Sequence, residues 1–266
     1  MRSDLARQLA IVVTFFVVVA VNGAANALPI NGQMTKDISD RFSVYVIPAG
    51  YVFAIWGLIY ITQAMFTAWQ ALPRNREDAT LRSLGWLPVL AGALNVTWLL
   101  LFHYNQFVLA LPMIVAFLVT LIAIHLRLWA RRAELTGTRY WMVRAPFAIY
   151  VGWLTVATIA NTAQTLQFVG FNGFGIDGAL IAAVVLAVGL LIAARFVTQF
   201  RDVAYGLVIV WAYAGIVVKE SATPVVAGTA GIAALIVLTL AAVAWARNRG
   251  WLRGGAMASG STPAAA

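Results

Sequence analysis

Eight stretches of this sequence, at approximately 9–28, 48–71, 85–103, 107–129, 142–165, 178–195, 203–219 and 224–246, are almost wholly apolar, with short polar or basic links between them. Crossing the hydrocarbon core of a bilayer takes roughly 20 such residues in a helix. In that medium a helix satisfies its own backbone polar groups, which a lone strand or an open loop does not. Only 10% of the residues are charged, against about 25% in a soluble domain. The expected fold is therefore an all-α polytopic membrane protein with about eight transmembrane helices. The seventh stretch, VAYGLVIVWAYAGIVVK, is the shortest, and the tight links HYNQ and ESAT predict antiparallel hairpins.

A net charge of +9 suggests nucleic acid only until its placement is read. The basic residues sit in small clusters between apolar spans, where they act as orientation signals. With the N-terminus in the cytoplasm, fifteen of them fall inside: Arg2, Arg7, Arg74, Arg76, Arg82, Arg127, Arg131, Arg132, Arg139, Arg144, Arg195, Arg201, Arg247, Arg249 and Arg253. Only Lys36, Arg41 and Lys219 fall outside. This bias predicts both termini in the cytoplasm, and losing one middle span would scramble it. The opening MRSDLARQ, its apolar run and Ala25-Asn26-Ala27 also fit the three regions of a cleavable signal peptide, which would leave seven spans. Asn22 and Asn26, one turn apart, fit better a helix packed against neighbours. The tail at 247–266, ending GGAMASGSTPAAA, is expected to be disordered and cytoplasmic. With no cysteine in the chain, disulfides, thiolate metal sites and cysteine nucleophiles are excluded.

The polar and aromatic residues inside the spans are arranged, not scattered. At about 100° per residue, Tyr150, Trp153, Ala157 and Asn161 share one face of the fifth span. The third span aligns Pro88, Ala91, Asn95, Trp98 and Phe102 in the same way, and the second aligns Phe53, Trp56, Tyr60 and Ala64. An asparagine facing lipid would leave its amide without partners, so these faces should turn into the bundle. Two outcomes follow from that. The amides bond across helices as packing glue, or the stripes converge on a ligand pocket. Trp69, Trp86, Trp129, Trp141, Trp245 and Trp251 lie near span ends and read as interfacial anchors, whereas Trp56, Trp98, Trp153 and Trp211 lie deeper.

These residues resemble those of the tryptophan-rich sensory protein family, the bacterial relatives of the mitochondrial translocator protein. The second-span pattern is met by Val52, Phe53, Trp56 and Tyr60, with one residue fewer between the phenylalanine and the tryptophan. The third is met by Ala93, Leu94, Asn95 and Trp98, and the fifth by Tyr150, Trp153, Ala157 and Asn161. Ile149 stands where the family carries a proline, and the first loop, PINGQMTKDISDRFSVYVI, differs from the family's loop that lids its ligand pocket. The resemblance implies a five-helix core at 1–166, a pocket for tetrapyrroles such as protoporphyrin or for sterol-like lipids, and residence in a bacterial cytoplasmic membrane. It implies ligand-binding roles for Phe53, Trp56, Tyr60, Asn95, Trp98, Phe102, Tyr150, Trp153, Ala157 and Asn161. Three further spans, in 167–246, lie beyond that core. They are rich in small residues, such as Ala227 with Gly231 and Ala230 with Ala234, which suits a packing layer or the interface of a homodimer.

Other classes find less support. All nine acidic residues lie in loops or at span ends, so neither a proton relay nor a buried acid–base pair is expected. His103 and His125 fall at opposite ends of their spans, read as interfacial residues, and cannot share a metal. A single-histidine haem ligand at His103 is the most either could offer. The expected function is thus a sensor-like, non-enzymatic binder of a hydrophobic small molecule, needing no resident cofactor or nucleic acid. The alternatives are a transporter of such molecules and a structural or regulatory subunit without a ligand.

Overall fold

The computed structural model describes residues 2–252, so the tail from residue 253 onward lies outside the described residues. Its helices are α1 (Arg2–Ala27), α2 (Thr35–Asp40), α3 (Ile55–Ala71), α4 (Ala79–Leu84), α5 (Leu87–His103), α6 (Phe107–Ala130), the single turn α7 (Gly137–Arg139), α8 (Ala145–Phe168), α9 (Gly178–Phe200), α10 (Val203–Lys219) and α11 (Pro224–Leu252). No strand occurs among the described residues. Six stretches are long and apolar enough to cross a membrane: Ser3–Ala27, Gly50–Ala71, Phe107–Ala130, Gly137–Phe168, Gly178–Phe200 and Pro224–Asn248. Two further apolar helices, α5 and α10, are shorter, with 17 residues each, or about 26 Å of helix. The protein is an all-helical, polytopic integral membrane protein.

Helix ends follow local chemistry more than hydropathy. Asp177 caps α9 by accepting from the amides of Ala179 and Leu180, and Asp202 caps α10 through the amide of Tyr205. Pro88 occupies a first-turn position in α5, where a missing N–H costs nothing. A π-helical turn, Tyr140–Arg144, joins α7 to α8 without a break. Residues 247–252, which the sequence alone assigned to the tail, continue α11 instead, through Gly250.

Five helices close a ring in which α1 packs on α5, α5 on α6, α6 on α8, α8 on α3 and α3 on α1. Amides tie its members together. Asn22 of α1 donates to the Asn95 side-chain oxygen of α5 at 2.7 Å, and the Asn95 amide donates to the Tyr150 hydroxyl of α8 at 3.1 Å. One helical turn away, the Trp98 indole donates to Asn161 at 3.0 Å. Gln8 and Gln70 hold α1 to α3 by donating to each other's backbone carbonyl. Replacing Asn95 with leucine removes two interhelical bonds and is expected to destabilise the protein by about 1–2 kcal/mol, given the modest worth of such bonds in membranes. Thermal unfolding in detergent would check this, and an unchanged melting temperature would contradict it.

The remaining spans form a layer on one side of the ring. Helix α10 packs on α8, and α11 covers α9 and α10. The contact with α8 is close because residue 152 is glycine. A Cβ there would lie 3.0 Å from Val208 and 3.1 Å from the Tyr205 carbonyl. At one end of this seam Arg144 and Asp202 form an ion pair at 3.2 Å with almost no exposure, 1% and 0% of their side chains. The Arg144 guanidinium also donates to the Phe200 carbonyl and lies against the Trp129 ring.

Candidate functional site

At the far end of α1 the chain leaves the ring, crosses over it as α2, and re-enters through a 3-10 turn, Gly50–Ala54, that leads into α3. This crossover is a lid, and it is fastened to the α5–α6 turn. The side chains of Asn31 and Gln33 donate to the His103 carbonyl at 3.1 and 2.6 Å, and Arg41 donates to the Asn105 side chain at 2.6 Å. Asn105 occupies the left-handed region at φ 58°, which asparagine tolerates better than most residues. Ile38 of α2 is fully buried against Phe102 and Phe107.

Beneath the lid lies a cavity of about 720 Å³, bounded by α1, the lid, α3, α5 and the end of α10. Its volume is within the span of about 300–1,000 Å³ usual for small-molecule sites. Phe53, Trp56, Tyr60, Trp98 and Leu99 supply the apolar wall, while Asn22, Asn26, Thr35 and Ser39 supply polar groups. A small pit of about 50 Å³ shares Phe53, Trp56 and Trp98 and reaches Phe102, Trp153, Ala157 and Asn161. Trp56 stacks on Tyr60 with centroids 5.7 Å apart, and Trp153 meets both Trp56 and Phe53 edge to face. Such edge-to-face contacts hold the rings at set angles.

The ten residues singled out from the sequence separate into two groups. Phe53, Trp56, Tyr60, Trp98, Phe102, Trp153, Ala157 and Asn161 line the cavity or its pit. Asn95 and Tyr150 do not. Each is buried behind that wall, and their polar groups are occupied by the Asn22–Asn95–Tyr150 chain. Asn161 is partly committed as well, since its oxygen accepts from Trp98 and its amide donates to the Ala157 carbonyl. It holds the Trp98 indole in place at the cavity wall. The indole N–H of Trp153 is different: buried beside the pit, it finds no acceptor among the described residues.

Several features of the cavity were not legible in the sequence. The polar rim of α2 and the part played by α10 are among them. Trp211 of α10 donates to the Val52 carbonyl at 3.0 Å, and the Gly215 carbonyl accepts from Ala49 at 3.1 Å. The three-helix layer therefore supports the cavity's rim as well as covering the ring. Both histidines, expected at interfaces, are instead fully buried at 0% exposure. The lid covers His103, whose two ring nitrogens lie 3.0 Å from the Leu99 carbonyl and 3.3 Å from the Thr35 hydroxyl. With both nitrogens so engaged, His103 does not present itself to an iron. His125 packs among Phe196 and Phe200, 4.0 Å from the Asp202 carboxylate.

A second concavity, about 860 Å³, runs between α3, α8, α10 and α11. It is an open groove whose walls include the exposed Leu58, Trp141, Leu207 and Trp245. That is the apolar belt expected of a surface facing acyl chains. It lacks the convergent polar groups that orient a specific ligand.

A ring of five apolar helices around a lidded, aromatic-walled cavity defines the class: a polytopic helical membrane protein. The chain matches the family model described as TSPO-like protein over residues 8–243, and it belongs to that family. The matched region runs through the five-helix ring and into α11, so it includes most of the additional layer. No curated protein and no solved structure matches the chain.

Proposed function

We propose that the protein binds a flat, mainly apolar molecule in the lidded cavity, a tetrapyrrole of the protoporphyrin class ahead of a sterol-like lipid. The observation that carries this reading is the wall itself. Trp56, Tyr60, Trp98 and Phe53 border one space of about 720 Å³, and beside its pit sits the buried Trp153 N–H without an acceptor. Rings of that kind stack on a conjugated macrocycle, and an unsatisfied buried donor favours a ligand that brings an acceptor. The neighbouring polar groups, on Thr35 and Ser39, suit the orientation of one ligand edge. We assign binding to the site, and no catalytic step. With both termini in the cytoplasm, as the arginine distribution supports, the mouth opens on the outer side of a bacterial cytoplasmic membrane.

Titrating the purified protein with protoporphyrin while following tryptophan fluorescence tests the proposal. The expected result is saturable quenching with one ligand per chain. Trp153→Phe keeps a ring in the pit but deletes its donor, and a hydrogen bond of about 1 kcal/mol corresponds to roughly fivefold weaker binding. Quenching that rises linearly without saturation, equal in both proteins, would count against a tetrapyrrole site here.

A further inference from the structure

Among the described residues bordering the cavity, Lys219 is the one that carries a formal charge. It is the last residue of α10, and its side chain is exposed at the cavity's edge. It forms no ion pair among the described residues. Its position is built, and the reason lies one and two helical turns back. Trp211, Gly215 and Lys219 are spaced by four and share a face of α10. Trp211 grips the Val52 carbonyl, and Gly215 accepts from Ala49. A Cβ on Gly215 would overlap Val52 and approach Pro48 to 3.1 Å, so glycine lets α10 come within backbone reach of the rim. Two contacts thus clamp the rim to the helix, and the third residue of the stripe reaches the cavity that the rim encloses.

We infer that Lys219 anchors an acidic group of the ligand, so that the cavity selects flat apolar molecules bearing a carboxylate at one edge. This rests on the proposed binding site and adds a charge requirement to it. The aromatic wall offers a macrocycle stacking area without sign preference. The ammonium at its edge offers three donors and a positive charge. A ligand carboxylate meeting it exchanges hydration for a charge-assisted hydrogen bond, whereas an ester at that place brings a weaker acceptor and no charge. The ligand's apolar body then lies between Trp56 and Trp98, and its acidic edge faces α10. By this reading the additional helices contribute a specificity residue to the site, through a helix that lies outside the five-helix ring.

Protoporphyrin and its dimethyl ester, titrated into the parent protein and into Lys219→Met, Lys219→Arg and Lys219→Glu, test this. The ratio of the two affinities is compared between proteins, which cancels their different partitioning into detergent. The parent and Lys219→Arg are expected to prefer the diacid by about tenfold, the scale of one exposed charge-assisted hydrogen bond. Lys219→Met should lose that preference and Lys219→Glu should reverse it, with ester affinity little changed. In the parent the preference should also shrink as salt is raised. Equal ratios in all four proteins would overturn the anchoring role and leave the binding site standing. Failure of both porphyrins to bind the parent would overturn the site, and the anchor with it.

Discussion

Asp202→Ala is expected to cost about 3–5 kcal/mol of stability, the usual consequence of deleting one partner of a buried ion pair. The carboxylate is fully buried and lies 3.2 Å from an equally buried Arg144. It also caps α10 through the Tyr205 amide. Removing it takes the carboxylate from a guanidinium that stays inside the protein beside the Phe200 carbonyl and the Trp129 and Tyr140 rings. Deleting both charges is a different matter. Arg144→Met with Asp202→Leu should recover most of the loss, because an apolar pair of similar volume avoids the desolvation that the ions incur. Unfolding curves of the three proteins in detergent would check this. The pair joins the entry of α8 to the α9–α10 junction, so the single variant should also expose that junction to protease before the ring unfolds. A single variant as stable as the parent would show that the pair contributes nothing to holding the layer on the ring.

Trp56→Ala is expected to weaken protoporphyrin binding by about thirtyfold, or roughly 2 kcal/mol, from lost apolar area together with lost ring-to-ring contact. Trp56 borders both the cavity and its pit. It is held by stacking on Tyr60 and by edge contacts to Tyr150 and Trp153, with centroids 6.1 Å away in each. Asn95→Leu makes the contrasting case. That side chain has no share in the cavity wall, so its affinity should change by less than about threefold while its melting temperature falls. The two variants thus separate ligand contact from helix tethering, although both residues belong to the same motif set. If Asn95→Leu lost affinity as steeply as Trp56→Ala while remaining folded, the division drawn between them would be wrong.

That division shows where reading the sequence stopped. Helical periodicity placed Asn95 and Trp98 on one inward face, and both are buried. It had no means to tell that Asn95 meets Asn22 and Tyr150 while Trp98, less than a turn away, reaches the cavity. A period of 3.6 residues sets which side of a helix turns inward, but the facing residue belongs to another helix, whose rotation and depth the period does not record. The same limit applies to charge. Arg144 was counted among the cytoplasmic orientation signals and Asp202 among the span-end acids. Neither reading foresaw that they bury each other, since a loop residue's partner is set by how distant helices dock. His103 was missed for a related reason, since its partners, Asn31, Gln33 and Thr35, come from a lid some seventy positions earlier.

What the sequence determined by itself was the membrane, the all-helical class, the approximate bounds of the eight apolar helices, six of them long enough to cross a bilayer, and the three inward stripes. Each follows from local composition or from a short period, and backbone hydrogen bonding in lipid leaves few alternatives. What only the tertiary structure decided was the division of those stripes into wall and tether, and the approach of α10 to the cavity's rim through Trp211, Gly215 and Lys219. Those three residues lie more than 150 positions from the rim they meet. Their role depends on a glycine-sized gap between two backbones, a quantity that exists only once the helices have packed.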